Sequence, residues 1–191
     1  MITLATFMPE YFNNNGDQGN LEVLSKHLEW RGVRYQVVST DFENADFLMV
    51  GDGSRAVMRE FSKQLEGLSN LLTNRLQAGK ATLLVGSAHE FFCHSLSGLP
   101  SINKTSRVSE FRAVRAADFN VLGYRNSDYD LDLFIDRAFV STSLFGPVLA
   151  KNPDLLSLLL ESMGVSDELS SEQASSLNNV VERIRADFSQ S

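Results

Sequence analysis

Short apolar runs alternate with polar, glycine-bearing stretches along the first ninety residues of the chain. Between the apolar runs, leucines recur every three or four residues, which is the spacing of an amphipathic helix. The predicted strands are residues 2–8, 33–38, 46–50 and 81–85, and the predicted helices are residues 21–31 and 55–77. This order predicts an α/β fold with a mostly parallel central sheet flanked by helices.

The pattern changes in the second half, where short β-like runs are separated by polar turns. The runs are residues 111–114, 119–124, 131–135 and 138–142, and they indicate antiparallel or mixed strands. Pro153 can begin a helix at its first turn, and a last amphipathic helix is predicted over residues 166–188. We find no repeat, low-complexity stretch or linker, so residues 1–191 are predicted to form a single domain.

Composition narrows the class of protein. Of the 191 residues, 43% are hydrophobic and 21% are charged, as in an ordinary globular protein, and no run approaches the ~18 apolar residues of a membrane span. The net charge of −7 argues against a nucleic-acid surface. The single cysteine, Cys93, and an N-terminus without a signal-peptide pattern favour the cytoplasm. Three histidines and one cysteine give no zinc spacing, so neither metal nor cofactor is predicted.

The stretch over residues 81–92 has the pattern of a buried strand, a sharp turn at Gly86 and a helix. In an open α/β sheet, reactive groups sit at the carboxyl end of such a strand. The elbow between strand and helix can hold a nucleophile, and the helix N-terminus can supply N–H donors to an oxyanion. Gly86 has no side chain and cannot be that nucleophile.

Several glycine-bearing segments carry a family resemblance. They are Gly16-Asp17-Gln18-Gly19-Asn20, Glu29-Trp30-Arg31-Gly32-Val33, Gly51-Asp52-Gly53, Gly86-Ser87-Ala88-His89-Glu90, Gly123-Tyr124-Arg125-Asn126, and Gly146-Pro147 with Lys151-Asn152-Pro153. In this order, from residue 2 to about residue 163, the chain resembles the class I, triad-type glutamine amidotransferases. It is most similar to the cobyric acid synthase-like branch that contains GatD, the glutaminase partner of a Mur-ligase-like protein. The resemblance implies a flavodoxin-like three-layer sandwich.

The resemblance also implies a mechanism. In the family, a cysteine at the elbow attacks the glutamine amide carbon, and a histidine ahead of Gly-Pro acts as the base. Here the cysteine position is Gly86 and the histidine position is Phe145. The loop that helps to form the oxyanion hole reads Gly51-Asp52-Gly53, and a carboxylate there would oppose a developing oxyanion. The sequence therefore predicts a pseudo-glutaminase with no catalytic residue at these positions.

Other residues of these loops leave alternatives open. Ser87 with His89 is a fallback nucleophile and base, although residues two apart on a helix do not share a face; a helix N-cap is the alternative for Ser87. Asp17 and Asn20 either hold the loop or bind a ligand. The predicted pocket also contains Gly53, Arg55, Glu90 and Asn126. Arg55 stands where the family keeps an acid, which favours an anionic ligand.

Three functions follow from this pattern. The favoured one is a non-catalytic, glutaminase-like binding or regulatory subunit of a larger synthetase or Mur-ligase-like complex, as the resemblance implies. The loops of residues 16–20 and 146–153 are then expected at a docking rim, unless they only hold the fold. The second is an active amidotransferase or hydrolase with a displaced nucleophile such as Ser87. The third is a small-ligand-binding module, and no nucleic acid or membrane partner is expected.

Overall fold

The computed structural model describes residues 1–166 and 169–188, and its centre is a six-stranded sheet. Within these ranges, the strands are β1 (Ile2–Thr6), β2 (Tyr35–Val38), β3 (Phe47–Val50), β4 (Thr82–Val85), β5 (Lys104–Ala116), β6 (Phe119–Tyr129), β7 (Leu133–Asp136), β8 (Phe139–Thr142) and β9 (Leu144–Phe145). The central order is β2-β1-β3-β4-β8-β7, with only β7 antiparallel to its neighbour. Strands β5, β6 and β9 form a second, antiparallel sheet. The predicted α/β class with a mostly parallel sheet is confirmed.

Helices cover both faces of the central sheet. They are α1 (Gly19–Trp30), α2 (Arg55–Glu60), α3 (Ser62–Gly67), α4 (Ser69–Ala78), α5 (Ser87–Ser95), α6 (Val148–Lys151), α7 (Pro153–Ser162) and α8 (Ser171–Phe188). One apolar cluster joins the sheet to α1, α6 and α7, and the other joins it to α3, α4 and α5. Strands β3 and β4 are buried along their whole length, because each carries side chains into both clusters.

The prediction of a single helix over residues 55–77 is wrong. The chain forms α2, α3 and α4 instead, with breaks at Phe61 and Leu68. Ser62 and Ser69 directly follow the two breaks, and serine hydroxyls compete with the helical backbone hydrogen bonds. Gly67 adds conformational freedom at the second break. The leucine spacing continues through both breaks, which is why periodicity alone did not detect them.

Two other boundaries differ from those predicted. The last helix begins at Ser171 rather than at residue 166, and residues 167–168 of the predicted span lie outside the described residues. The β-like run 111–114 lies in the second half of the longer strand β5, and the run 119–124 is the first half of β6; the two strands pair antiparallel in a hairpin. No helix in the described ranges 1–166 and 169–188 is long and apolar enough to cross a membrane.

Candidate functional site

Gly86 forms a strained elbow between β4 and α5. Its φ of 60° and ψ of −121° put it in a region that L side chains rarely adopt. Its amide N–H donates to the Thr142 carbonyl at 2.8 Å, and its carbonyl accepts from the Glu90 N–H at 3.1 Å. The elbow is thus fixed to β8 on one side and to the first turn of α5 on the other. The predicted strand, turn and helix at this point are present.

The space beside Gly86 is filled by two side chains. A Cβ atom built on Gly86 would overlap Phe145 Cε1 and would lie 2.7 Å from Asp52 Oδ1 and 2.9 Å from Asp52 Cβ. Real Cβ contacts are almost never this short. Glycine is therefore required at this position for space as well as for backbone conformation.

Asp52 places its carboxylate at the N-terminus of α5. Asp52 Oδ1 accepts a hydrogen bond from the Ser87 N–H at 2.9 Å. Asp52 Oδ2 accepts from Asn15 Nδ2 at 2.8 Å and from Asn14 Nδ2 at 3.1 Å. Asp52 is only 4% exposed. The backbone amide after the elbow, which points to where an external anion would bind, already has an anionic partner from within the chain.

Asp17 connects three loops at the carboxyl edge of the sheet. Its Oδ2 accepts from the Asp52 N–H at 3.0 Å, and its Oδ1 accepts from the Gly146 N–H at 3.2 Å. Asp17 has no exposed surface, and this burial raises the pKa of its carboxyl group to about 6 despite those hydrogen bonds. The charge of nearby Asp52 raises the pKa further.

Asn20 and Asn152 connect further loops. Asn20 Nδ2 donates to the carbonyls of Asp17 and Gly146, and Asn20 Oδ1 accepts from the Leu149 N–H at 2.9 Å. Asn152 Oδ1 accepts a hydrogen bond from the Leu122 N–H on β6, and Asn152 Nδ2 donates one to the Leu122 carbonyl. Both asparagines are buried. Through these bonds, Asn20 joins α1 to Gly146 and α6, and Asn152 joins the α6–α7 junction to β6.

Ser87 and His89, the fallback nucleophile and base, are not brought together. Ser87 Oγ accepts from the Gly53 N–H at 2.8 Å and donates to the Gly53 carbonyl at 3.0 Å. His89 is fully buried, with Nδ1 2.8 Å from Ser141 Oγ and Nε2 3.0 Å from the Leu131 carbonyl oxygen. Burial lowers the pKa of His89 to about 4, so the imidazole is neutral near pH 7. The N-cap of α5 is Gly86, so the prediction of Ser87 as that N-cap is wrong.

An open cleft of about 560 Å³ lies beside the elbow. Its lining comprises Gly53, Arg55, Met58, Arg59, Ser87, Glu90, Phe91, His94 and Tyr129. Glu90 Oε1 accepts from Ser127 Oγ at 2.6 Å, and burial raises the pKa of the Glu90 carboxyl group. In this cleft, the structure brings together four of the predicted pocket residues.

The other predicted pocket residues do not line this cleft, although Asp52, Gly86 and Phe145 form the elbow beside it. Gly51 packs so closely on the Phe12 carbonyl that a Cβ atom would overlap its oxygen. Asn126 lies on the β5–β6 hairpin, where its Oδ1 accepts from Arg107 Nε at 2.8 Å. Phe145 is half-buried and pairs with Tyr124 through the β6–β9 ladder. Among residues 1–166 and 169–188, no group of three or more histidine, cysteine or acidic side chains could hold a metal ion.

A comparison with solved structures identifies the fold. A glutamine amidotransferase from Thermotoga maritima superimposes with a TM-score of 0.53, over 94% of this chain and 93% of the other, at 12% identity. The chain has a glutamine amidotransferase fold. No protein-family model and no curated protein matches it.

Within the glutamine amidotransferase fold, sequence reasoning missed the residues that hold Asp52 and line the cleft. The pattern around Asn14 and Asn15 predicts only a loop, although three consecutive asparagines supply many amide donors. Arg59 is one helical turn from Arg55, so the i, i+4 spacing on α2 could have revealed it. Ser127 and Tyr129 had no such signal, because the length of β6 was not predicted.

Proposed function

We propose that this chain is a catalytically inactive glutaminase-like protein, a pseudo-glutaminase, that acts as a binding or regulatory subunit of a larger synthetase or ligase complex. The observation that carries the proposal is the Asp52 carboxylate on the Ser87 amide, 2.9 Å away. An oxyanion formed beside the elbow would need that N–H donor and would meet a negative charge instead.

The two other positions of the reaction support the same proposal. Gly86 offers no nucleophile, and the surrounding Asp52 and Phe145 leave no space for one. Phe145, at the position of the base, can neither accept nor donate a proton. The side chains that could replace them are already hydrogen-bonded, Ser87 to Gly53 and His89 to Ser141 and Leu131. Loss of one member of such a catalytic unit costs a factor of about 10⁴ or more in rate.

The test is a glutaminase assay on the purified protein. We expect no ammonia above the buffer blank from the wild-type protein or from Gly86→Cys. The combined change Gly86→Cys, Phe145→His and Asp52→Gly restores the three altered positions together, and it is the fairer attempt at revival. Ammonia release by the wild-type protein that is abolished by Ser87→Ala would contradict the proposal and would support a displaced nucleophile.

The proposal also covers the kind of partner protein and the cellular compartment of the complex. The resemblance to the cobyric acid synthase-like, GatD-containing branch favours a Mur-ligase-like or synthetase-like partner in the cytoplasm, with residues 1–191 as one domain. Co-purification from the native cell at low salt tests the partner. Recovery of the monomer or a self-dimer alone would argue against a dedicated complex.

A second candidate function is a small-ligand-binding module, favoured by the cleft beside the elbow. Arg55 and Arg59 are exposed in it, and within the described residues neither forms an ion pair with a carboxylate. A small anion is the ligand class that this pair would attract. Thermal unfolding with inorganic phosphate or glutamate tests it, because a specific ligand raises Tm. The shift should disappear in Arg55→Ala and persist in the exposed control Arg34→Ala.

A further inference from the structure

The β5–β6 hairpin presents an edge strand to solvent. In the order β5-β6-β9, β5 has one neighbour only. It is 13 residues long, and none of its residues is buried. Within residues 1–166 and 169–188, no strand pairs with the outer edge of β5, and such an edge is where a further strand can add to a sheet.

Cations are concentrated on this strand, although the chain as a whole is acidic. Strand β5 carries four cationic side chains, Lys104, Arg107, Arg112 and Arg115, against one carboxylate, Glu110. The whole chain has a net charge of −7. Lys104 lies 3.5 Å from Asp128, and Arg112 lies 3.6 Å from Asp132. Among the described residues, neither Arg107 nor Arg115 forms an ion pair with a carboxylate within 4 Å, although the charge of Arg107 acts on Glu90, where it partly offsets the burial that raises the pKa of that carboxyl group.

These two arginines share the outer face of the hairpin with two aromatic rings in tilted contact. Phe111 lies opposite Tyr124 in the register, with ring centroids 5.6 Å apart, and the two residues are 38% and 37% exposed. The Tyr124 hydroxyl is 2.7 Å from Ser109 Oγ. The other residues paired on this face are Ser109 with Asn126, Ala113 with Leu122, and Arg115 with Asn120. The face therefore combines apolar area with the positive charge of Arg107 and Arg115. Its one carboxylate within the β5 and β6 strands, Asp128, lies 3.5 Å from Lys104.

We propose that β5 is the docking strand for an acidic β-strand of a partner protein, which extends the β5-β6-β9 sheet by one strand. Backbone hydrogen bonds along the free edge would supply affinity, as in other cases of strand addition. Carboxylates of the incoming strand opposite Arg107 and Arg115 would supply specificity. This inference rests on the proposed function. It assigns the surface to which the partner of the binding subunit would dock, and it states that the docking strand of the partner is acidic.

A second copy of this chain fits the edge less well than an acidic strand. In an antiparallel pairing of two β5 strands centred on Phe111, Arg107 would lie opposite Arg115 of the other copy. Like charges directly opposite each other destabilise a pair of strands. Two strands of the same net positive charge also repel one another at long range.

The hairpin is directly linked to the altered site. Strand β6 pairs on its other side with β9, where Tyr124 lies opposite Phe145 and Arg125 opposite Leu144. Phe145 is the residue whose ring occupies the space beside Gly86. Two strands, β5 and β6, would separate a partner docked on β5 from β9, the strand whose Phe145 contacts the elbow.

The experiment measures binding of synthetic strand peptides to the full chain by fluorescence anisotropy. The probe alternates glutamate with valine, and the comparison probes are the same peptide with lysine and a single-stranded oligothymidine. We expect the acidic peptide to bind and to weaken about tenfold or more between 50 mM and 500 mM NaCl, since exposed charge pairs are screened. Hydrogen exchange should show new protection of β5 backbone amides. The charge-reversed variant Arg107→Glu/Arg115→Glu should lose binding about tenfold or more.

The matched control is Arg34→Glu/Lys63→Glu, which makes the same charge change at two exposed positions outside the hairpin. This control should bind the acidic peptide within about twofold of wild type, allowing for the general effect of net charge. Thermal unfolding of both variants shows that they are folded, and Phe111→Ser provides a second test of the face without a change of charge.

The proposal would be overturned if the acidic peptide does not bind, or if both charge variants lose the same affinity for it. The cations of β5 would then serve only to prevent aggregation at an exposed edge. Tighter binding of the oligothymidine, or a β5-mediated self-dimer in sedimentation, would overturn it as well. The result is independent of the glutaminase assay. Glutamine hydrolysis by a protein that binds the acidic strand would refute the proposed loss of activity alone.

Discussion

Gly86→Ala tests directly whether the elbow has lost the space for a nucleophile, because it adds only a Cβ atom. That atom would overlap Phe145 and lie within 3 Å of Asp52. Overpacking of this kind costs about 1–3 kcal/mol, and an L residue at a φ of 60° costs about 1–3 kcal/mol more. We therefore expect Gly86→Ala to lower the free energy of unfolding by about 2–6 kcal/mol in urea titrations.

Substitutions at two other glycines separate the free-energy cost of overpacking from the cost of placing an L residue at positive φ. Gly16 has a φ of 77° and nothing within 4 Å of an added Cβ, so Gly16→Ala reports the backbone cost alone. Gly67 has nothing within 4 Å and an ordinary φ, so Gly67→Ala should be neutral or slightly stabilising. The expected order of destabilisation is Gly86, then Gly16, then Gly67.

A double-mutant cycle identifies the neighbours responsible. In a protein that carries Asp52→Ala and Phe145→Ala, the cost of Gly86→Ala should fall by about 1–3 kcal/mol, to the backbone cost. If Gly86→Ala costs no more than Gly16→Ala, and costs the same in both backgrounds, the steric argument is wrong. Space for a cysteine at position 86 would then exist, and the missing base at Phe145 and the Asp52 carboxylate on the Ser87 amide would remain the obstacles to catalysis.

Three further predictions concern buried groups. The carboxyl of Asp17 binds its proton more tightly in the folded chain, with a pKa of about 6 against 3.8, so this group lowers stability as pH rises from about 4 to above 6. The unfolding free energy of wild type minus that of Asp17→Asn should fall by up to about 3 kcal/mol over that range, and a pH-independent difference would contradict this. Arg75, 1% exposed, donates to Thr82 and to the carbonyls of Ala45, Asp46 and Ala81, so Arg75→Met should cost about 3 kcal/mol or more in urea titrations. Burial raises the pKa of Cys93 to about 12, so iodoacetamide at pH 8 should label it only after unfolding, as mass spectrometry can show.

The elements that the sequence predicts well are those with a one-sided or fully apolar pattern. Strands β3 and β4 and the elbow at Gly86 follow from continuous apolar runs that end at glycine. The strand β5 was underestimated because most of its side chains are polar and exposed, so alternation could not mark its ends. The turn after it, Ala117-Asp118, also lacks the glycine that usually marks a hairpin.

The candidate site was predicted in its positions but not in its contacts. The sequence placed an acid beside the elbow through the family resemblance, which makes Gly51-Asp52-Gly53 the loop of the oxyanion hole; in the structure this loop follows β3, the neighbour of β4. It could not show that Asp52 turns its carboxylate to the Ser87 amide, since that depends on the asparagines of a loop 37 and 38 residues earlier. The long-range contacts of Asn20 and Asn152 were hidden for the same reason, as short-range capping explains such residues equally well in sequence.

Asp52 has a consequence for any molecule that enters the cleft. The carboxylate is a permanently attached occupant of the α5 N-terminus, held there by Ser87, Asn14 and Asn15. Even a flexible tether gives an attached group a local concentration in the millimolar range, and a rigid, oriented one gives far more. A free metabolite at ordinary cellular levels competes poorly against it. A ligand of this cleft must therefore obtain its affinity from the opposite wall, on α2, while the Asp52 carboxylate stays bound at the N-terminus of α5.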